Sequence, residues 1–170
     1  MNTLHTEHLI LRPFREGDAK AMFRNWTQDE RVARYCRWYP HKDISETEWF
    51  LKHCCLNAEY NWAITLKGKD EPIGGIDVVG KNDDGVSEIG YVLSHEYWGQ
   101  GLMTEAARAV LDELFRCGFE KIGAWHAVDN PASGKVMEKC GMTYVRTCMA
   151  QKKFGSDEQC EVKYYEISRP

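Results

Sequence analysis

The sequence predicts a mixed α/β fold in one domain spanning residues 1–170, and three observations carry that expectation. A strand-like run, Val86 to Leu93, leads through the glycine-bearing turn Trp98-Gly99-Gln100-Gly101 into a helix-like segment. A second apolar run, Ile122 to Val128, is followed at once by its own helix start at Asn130-Pro131. The chain then closes on two long segments around Phe154-Gly155-Ser156-Asp157, the pattern of a hairpin.

Taken in order, Leu9, Ile10 and Leu11, bounded by Arg12-Pro13, form a short first strand. Gly17-Asp18 opens an amphipathic segment with Ala21, Met22, Asn25 and Trp26 at helical spacing. A short helix covers Asp29 to Tyr35, and Pro40 interrupts the chain. Ser45-Glu46-Thr47-Glu48 reads as a capped start for a helix through Trp49, Phe50 and Leu51 to about Leu56. From Trp62 the period becomes that of strands. Trp62–Leu66 and Ile73–Val79 flank the turn Lys67-Gly68-Lys69-Asp70, and Asn82-Asp83-Asp84-Gly85 leads to Val86–Leu93. Thr104 to Cys117 predicts a long helix with Ala107, Val110, Leu111, Leu114 and Phe115 on one side, stopped by Gly118. Ile122–Val128 is the next strand, and a helix from Pro131 to Lys139 ends at Gly141. Met142–Lys152 and Gln159–Ile167 form the closing hairpin.

Bulk properties narrow the function classes. With 22 Lys and Arg against 26 Asp and Glu, the net charge of −4 argues against a protein that coats nucleic acid. No apolar run approaches the roughly 20 residues that span a bilayer, and MNTLHTEHLILRPF lacks the layout of a signal peptide. The seven cysteines, at 36, 54, 55, 117, 140, 148 and 160, show no CxxC spacing, so reduced thiols are expected and no metal site. The expected location is cytoplasmic.

The turn between Val86–Leu93 and the long helix carries the chemistry. Gly99 and Gly101 let backbone amides approach an anion at a helix N-terminus, and the Thr104 hydroxyl can cap the helix or bind an oxygen. The same turn also reads as a tight connection with no ligand. Neither GxxxxGK[ST] nor GxGxxG is present, since Thr104 takes the third glycine position.

The succession of EIGYVLSHEYWGQGLMTEAA, a strand, NPASGKVMEKCGM and a final hairpin resembles the GNAT superfamily of acetyl-CoA-dependent N-acetyltransferases. The opening TEHLILRPFREGDA and the phrase NPASGKVMEKCGM are similar to the branch of ribosomal-protein N-terminal acetyltransferases, the RimJ/RimL type. The likeness runs from about residue 6 to about residue 168. It implies a twisted mixed sheet of about seven strands with helices on both faces and a notch where the fourth strand splays from the fifth. Acetyl-CoA would lie in that notch. Its pantetheine arm would run along Tyr91, Val92 and Leu93, and its pyrophosphate would meet the amides of Gly99, Gln100, Gly101, Leu102, Met103 and Thr104. Of the superfamily signature Q/R-x-x-G-x-G/A, only Gly101 matches within Trp98 to Met103, so binding there rests on amides, not side chains.

By the same resemblance, Asn130 and Ser133 face the pantetheine and the thioester sulfur, Ser133 as proton donor to the leaving thiolate. On the residues alone, Asn130 is a good N-cap before Pro131 and Ser133 a first-turn residue. Glu88 takes the place where many members carry a carboxylate base, and it also reads as a strand residue facing solvent or an ion-pair partner. Tyr91 reads as cofactor-lining or core, and His126 as structural. Trp38 and Tyr39, beside Pro40, would line the entrance for an amine acceptor built from residues 25–56 and 151–159. The expected activity is direct transfer of acetyl from acetyl-CoA to a primary amine, either a ribosomal or other protein N-terminus or a small-molecule amine. The alternative is a non-catalytic module that binds CoA. Neither nucleic acid, membrane nor metal is implied as a partner, and monomer and homodimer both remain open.

Overall fold

Strand-forming residues from both ends of the chain meet in one sheet. The computed structural model describes residues 1–170 and places eight strands in the order β1-β2-β3-β4-β5-β6-β8-β7. They are β1 (Leu4–His5), β2 (Leu9–Pro13), β3 (Asn61–Leu66), β4 (Pro72–Lys81), β5 (Ser87–Leu93), β6 (Lys121–Ala127), β7 (Thr143–Gln151) and β8 (Gln159–Ser168). The strand beyond the expected seven is the two-residue β1, which pairs antiparallel with β2 through Leu4–Leu11 and His5–Ile10. Two residues are too few to show a period in the sequence. The predicted fourth and fifth strands are therefore β5 and β6, and theirs is the only parallel pairing.

Helices cover both faces. On one lies α4 (Leu102–Arg116), which buries Leu102, Met103, Ala106, Ala107, Val110, Leu111, Leu114 and Phe115. That spacing gives a continuous apolar stripe. It packs with Ile89, Leu93, Ile122 and Ala124 of the sheet and Met137 of α5 (Pro131–Lys139). The α4 C-terminus closes as expected at Gly118, where Phe119 N–H bonds Leu114 O at 3.1 Å and Gly118 N–H bonds Phe115 O at 3.1 Å.

The opposite face carries α1 (Ala19–Met22), α2 (Glu30–Ala33) and α3 (Ile44–Phe50). Residues Phe23–Thr27 and Leu51–Cys55 continue α1 and α3 as wider π-helical turns. Phe14, Met22, Trp26, Val32 and Leu51 pack there on Ala63 of β3. One sequence reading needs correction. The α3 cap is Asp43, whose carboxylate accepts from Ser45 N–H at 2.8 Å, and not the Ser45 hydroxyl. Thr47 is instead buried, with its hydroxyl 2.7 Å from both Thr27 Oγ1 and His41 Nδ1. Among the aromatic rings of this layer, Trp26 belongs to the core, whereas Trp49 is 60% exposed and stacks on His53.

A buried ion pair fixes this second layer to the sheet. Arg12 at the end of β2 grips Asp18 with two hydrogen bonds of 2.8 Å, and its Nε reaches Asp70 in the β3–β4 turn at 2.6 Å. The Arg12 and Asp18 side chains are 4% and 6% exposed. Removing one partner leaves a buried charge uncompensated, which costs about 3–5 kcal/mol. Arg12→Met should therefore lower unfolding stability by about that amount in a urea titration, while Glu120→Gln, at an exposed pair with Arg169, should change it by less than about 1 kcal/mol.

Candidate active site

The site begins where pairing stops. β5 and β6 are joined in register only at Ser87–Ile122 and Glu88–Gly123. Beyond them β5 continues through Leu93 and β6 through Ala127 without pairing to one another, so a notch opens toward both C-terminal ends. On its other side β5 stays bonded to β4, from Gly74–Leu93 to Lys81–Ser87. The inner edge of residues 89–93 thus presents backbone groups to the notch without a strand partner. One of them is engaged: Leu93 O accepts from the Trp98 indole at 2.8 Å. Trp98 therefore braces the strand end, a role that its departure from the Q/R signature left without an explanation.

At the C-terminal end of β5 the chain turns into α4. Gly99 and Gly101 lie at φ 75° and 81°. Gly101 is the N-cap, the first helical bond runs from Glu105 N–H to Gly101 O at 3.0 Å, and no side chain caps the helix. The helix starts two residues before the predicted Thr104, and Thr104 does not cap it. The amides of residues 99–104 therefore carry no intramolecular hydrogen bond at the positive end of a 15-residue helix. Leu102 and Met103 send their side chains into the core, so they offer a ligand only backbone. Gln100 is exposed, with its amide donating to Glu96 O at 2.9 Å.

Across the notch, α5 opens at Asn130, whose Oδ1 accepts from Ser133 N–H at 3.4 Å, with Pro131 at the first helical position. Asn130 is thus the cap, which frees the Ser133 hydroxyl from that task. Ser133 Oγ lies 2.9 Å from the Tyr91 hydroxyl, which also donates to Ser133 O at 3.0 Å. Burial pushes the Tyr91 phenol well above its ordinary range, so it stays protonated at neutral pH. The contact ties β5 to α5 across the mouth of the notch. His126 is buried beside it: its Nδ1 donates to Ala127 O at 2.8 Å, and its ring fills the space where a side chain at position 134 would stand, leaving room only for Gly134.

The other face of the sheet holds Glu88. Burial raises its pKa, while the Trp125 indole and the charges of Arg146 and Arg37 pull it back. A rim is built above it by two distant segments. Lys153 of the β7–β8 connection is buried, and its ammonium donates to the carbonyls of Ala33, Cys36 at 2.7 Å and Trp38 at 3.1 Å. Phe154 N–H bonds Arg37 O at 2.7 Å, and the Arg37 guanidinium lies 4.2 Å over the Phe154 ring. These bonds hold Trp38, which is half-buried, and Tyr39, which is 58% exposed, at the edge of the face that carries Glu88. Lys153 was not legible as a site residue because a lysine in a Gly/Ser-containing turn reads as a solvated charge.

A model described as an acetyltransferase (GNAT) domain matches residues 8–143. The chain belongs to the GNAT acetyltransferase family. It is 32% identical over 121 residues to p20, an uncharacterized N-acetyltransferase of Bacillus licheniformis, covering 68% of this chain and 67% of that one. The crystal structure of a GNAT-family acetyltransferase from Bacillus anthracis aligns with a TM-score of 0.86 at 26% identity, over 98% of each chain. RimL, a ribosomal L7/L12 alpha-N-protein acetyltransferase solved in complex with coenzyme A, aligns with a TM-score of 0.78 over 98% of each chain. Identity to RimL is 19%, so that likeness is one of fold.

Within the GNAT fold the expected site residues divide between two faces of the sheet. Tyr91, Asn130, Ser133 and the turn 99–104 gather on the side of α4 and α5, and Glu88, Trp38 and Tyr39 on the other. The turn can be tested directly. No protein atom lies within 4 Å of a Cβ placed on Gly101, so the cost of a side chain there is conformational, about 1–2 kcal/mol at this φ. Gly101→Val should fold, with a lowered Tm, and bind CoA at least tenfold more weakly by calorimetry. An unchanged Kd in the folded variant would remove the turn from the site.

Proposed function

We propose that this GNAT protein transfers acetyl from acetyl-CoA to a primary amine directly, in a ternary complex. One observation supports this most strongly: the unpaired edge of β5 and the free amides of residues 99–104 adjoin one another, on a family fold whose RimL neighbour was solved with coenzyme A. Amides at a helix N-terminus suit a pyrophosphate, and a strand edge suits the amide-bearing pantetheine arm. Acetyl-CoA supplies the acetyl group as an activated thioester. The chain's own residues orient it: the 99–104 amides hold the phosphates, the edge at Tyr91, Val92 and Leu93 aligns the arm, and Asn130 and Ser133 stand at its far end.

Transfer needs a proton acceptor on the amine side and a proton donor on the thiolate side. Glu88 stands on the amine side, where burial raises its carboxyl. Ser133, with the Tyr91 hydroxyl at 2.9 Å behind it, supplies the donating side. The rim at Trp38 and Tyr39, tied to the late hairpin by Lys153, frames the amine's entry. A protein N-terminus, as in the RimJ/RimL branch, and a small-molecule amine both suit this arrangement.

The test is release of free CoA thiol from acetyl-CoA in the presence of N-terminal peptides, polyamines and aminoglycosides. Thiol formed only with an amine present supports transfer. Calorimetric CoA binding with no thiol from any amine would favour a CoA-binding module instead. Within an active enzyme, Ser133→Ala should reduce turnover on the order of tenfold, because a thiol of pKa near or somewhat above ~8.5 leaves acceptably without a proton. Its stability should fall only modestly, since Asn130 carries the cap and the Tyr91 hydroxyl keeps its bond to the backbone oxygen of residue 133. Asn130→Ala should lose about 0.5–2 kcal/mol in unfolding.

A further inference from the structure

Asp77 interrupts the apolar run of β4 on the face that holds Glu88. Its register partner on β5 is Gly90, two residues past the last β5–β6 pair at Glu88 and so beside the point where the notch opens. Because Gly90 has no side chain, Val79 and the Asp77 carboxylate both reach over that stretch of β5: Val79 Cγ1 lies 2.8 Å and Asp77 Oδ1 3.5 Å from where a Cβ on Gly90 would stand. On its other side the register partner is Asn61 of β3, whose amide is directed to Cys54 O at 3.4 Å. Cys54 and Cys55, at the end of the α3 extension, face Asp77 with thiols that burial raises, Cys55 to about 12, so both are uncharged. Glu88 is the diagonal neighbour on β5, and the two guanidinium groups nearby, Arg37 and Arg146, act on Glu88. No hydrogen bond or ion pair holds Asp77, and burial pushes its carboxyl up.

A half-buried carboxylate with no partner is a standing cost to the fold, and such groups gather at functional sites. We propose that Asp77 is a catalytic residue: the carboxylate that takes the proton released by the acceptor amine during acetyl transfer. The inference rests on the acetyl-transfer reading above. The amine nitrogen forms its bond to the acetyl carbon while the carbon–sulfur bond breaks. The N–H proton passes to Asp77, directly or through one water, and the sulfur takes a proton from Ser133 or from water. Solvent then carries the proton from Asp77 and restores the donor. The products are the acetamide and CoA thiol. Glu88, offset by its guanidinium neighbours and the Trp125 indole, holds the charge balance of the mouth. Burial sets the Asp77 carboxyl at about 6, close to working pH, which is where a general base is most effective.

The sign of the stability effect follows from the same group. Its folded pKa of about 6 lies above the unfolded value near 3.8, so the ionised form destabilises the fold fully above about pH 6 and not at all below about pH 4. The neutral isostere Asp77→Asn should consequently raise the Tm at pH 7.5, with the gain vanishing at pH 4.

The experiment measures thiol release from acetyl-CoA with two probes, spermidine and an unblocked hexapeptide, from pH 5 to 9. Wild type should show kcat/KM falling below about pH 6. Asp77→Asn and Asp77→Ala, measured side by side so that a folding failure in one does not decide the result, should turn over 10²–10⁴-fold more slowly and lose that limb. Asp77→Glu should regain the limb, and CoA affinity should stay unchanged throughout. Persistence of the limb with near wild-type turnover in a folded Asp77 variant overturns the proposal. Absence of thiol release by the wild-type protein with both probes is a different result: the acetyl-transfer reading itself falls, and the role of Asp77 with it.

Discussion

Two neighbouring parallel strands that remain paired for only two residues, at Ser87–Ile122 and Glu88–Gly123, set the terms for the rest of the structure. Backbone N–H and C=O groups need partners, and a strand in the middle of a sheet finds them on both sides. β5 finds them on one side only from Ile89 onward, so a polar edge lies inside the fold and not at its margin. The crossover that links β5 to β6 is α4, and its free first amides stand at the end of that same edge. The edge and the helix terminus follow one another along the chain, separated by residues 94–98, and each offers backbone groups without a backbone partner. A cofactor with amides in its arm and phosphates at its end has the complementary chemistry.

The notch also separates two chemical environments. Alternation along β5 sends Ile89 and Leu93 to the large core with α4, and Glu88 and Val92 to the other face. Tyr91 reaches the first side and joins Ser133, so hydroxyl donors gather there. The acidic groups Asp77 and Glu88 gather on the second. A reaction that delivers a proton on one side of a sheet and removes one on the other fits such a division. The rim over the acidic side depends on long-range tertiary bonds: Lys153 satisfies three carbonyls around the end of α2, and burial lowers its pKa.

Much of the fold was legible because local signals agreed with one another. The α4 stripe, the Gly118 stop, the Asn130-Pro131 start and the closing hairpin each carried a distinct residue pattern, and each element stands where that pattern placed it. Boundaries were less legible. Gly101 ends the turn earlier than the Thr104 hydroxyl suggested, because the helix begins on a left-handed glycine without a side-chain cap. Asp43 outcompeted Ser45 as the α3 cap, since Asp43 has the extended backbone a cap requires. Residues whose meaning comes from long-range partners stayed hidden. Asp77 looks like one polar position in a strand until Gly90 is opposite it, and Lys153 looks solvated until the α2 carbonyls surround it.

The central claim is that one ligand occupies both the β5 edge and the start of α4. Amide hydrogen exchange, measured with and without CoA, tests it most directly. The account predicts that CoA slows exchange at residues 89–93 and 99–104 together, by a similar factor, while the α1–α3 layer stays unchanged. Protection confined to another surface, or protection of one segment without the other, would contradict it.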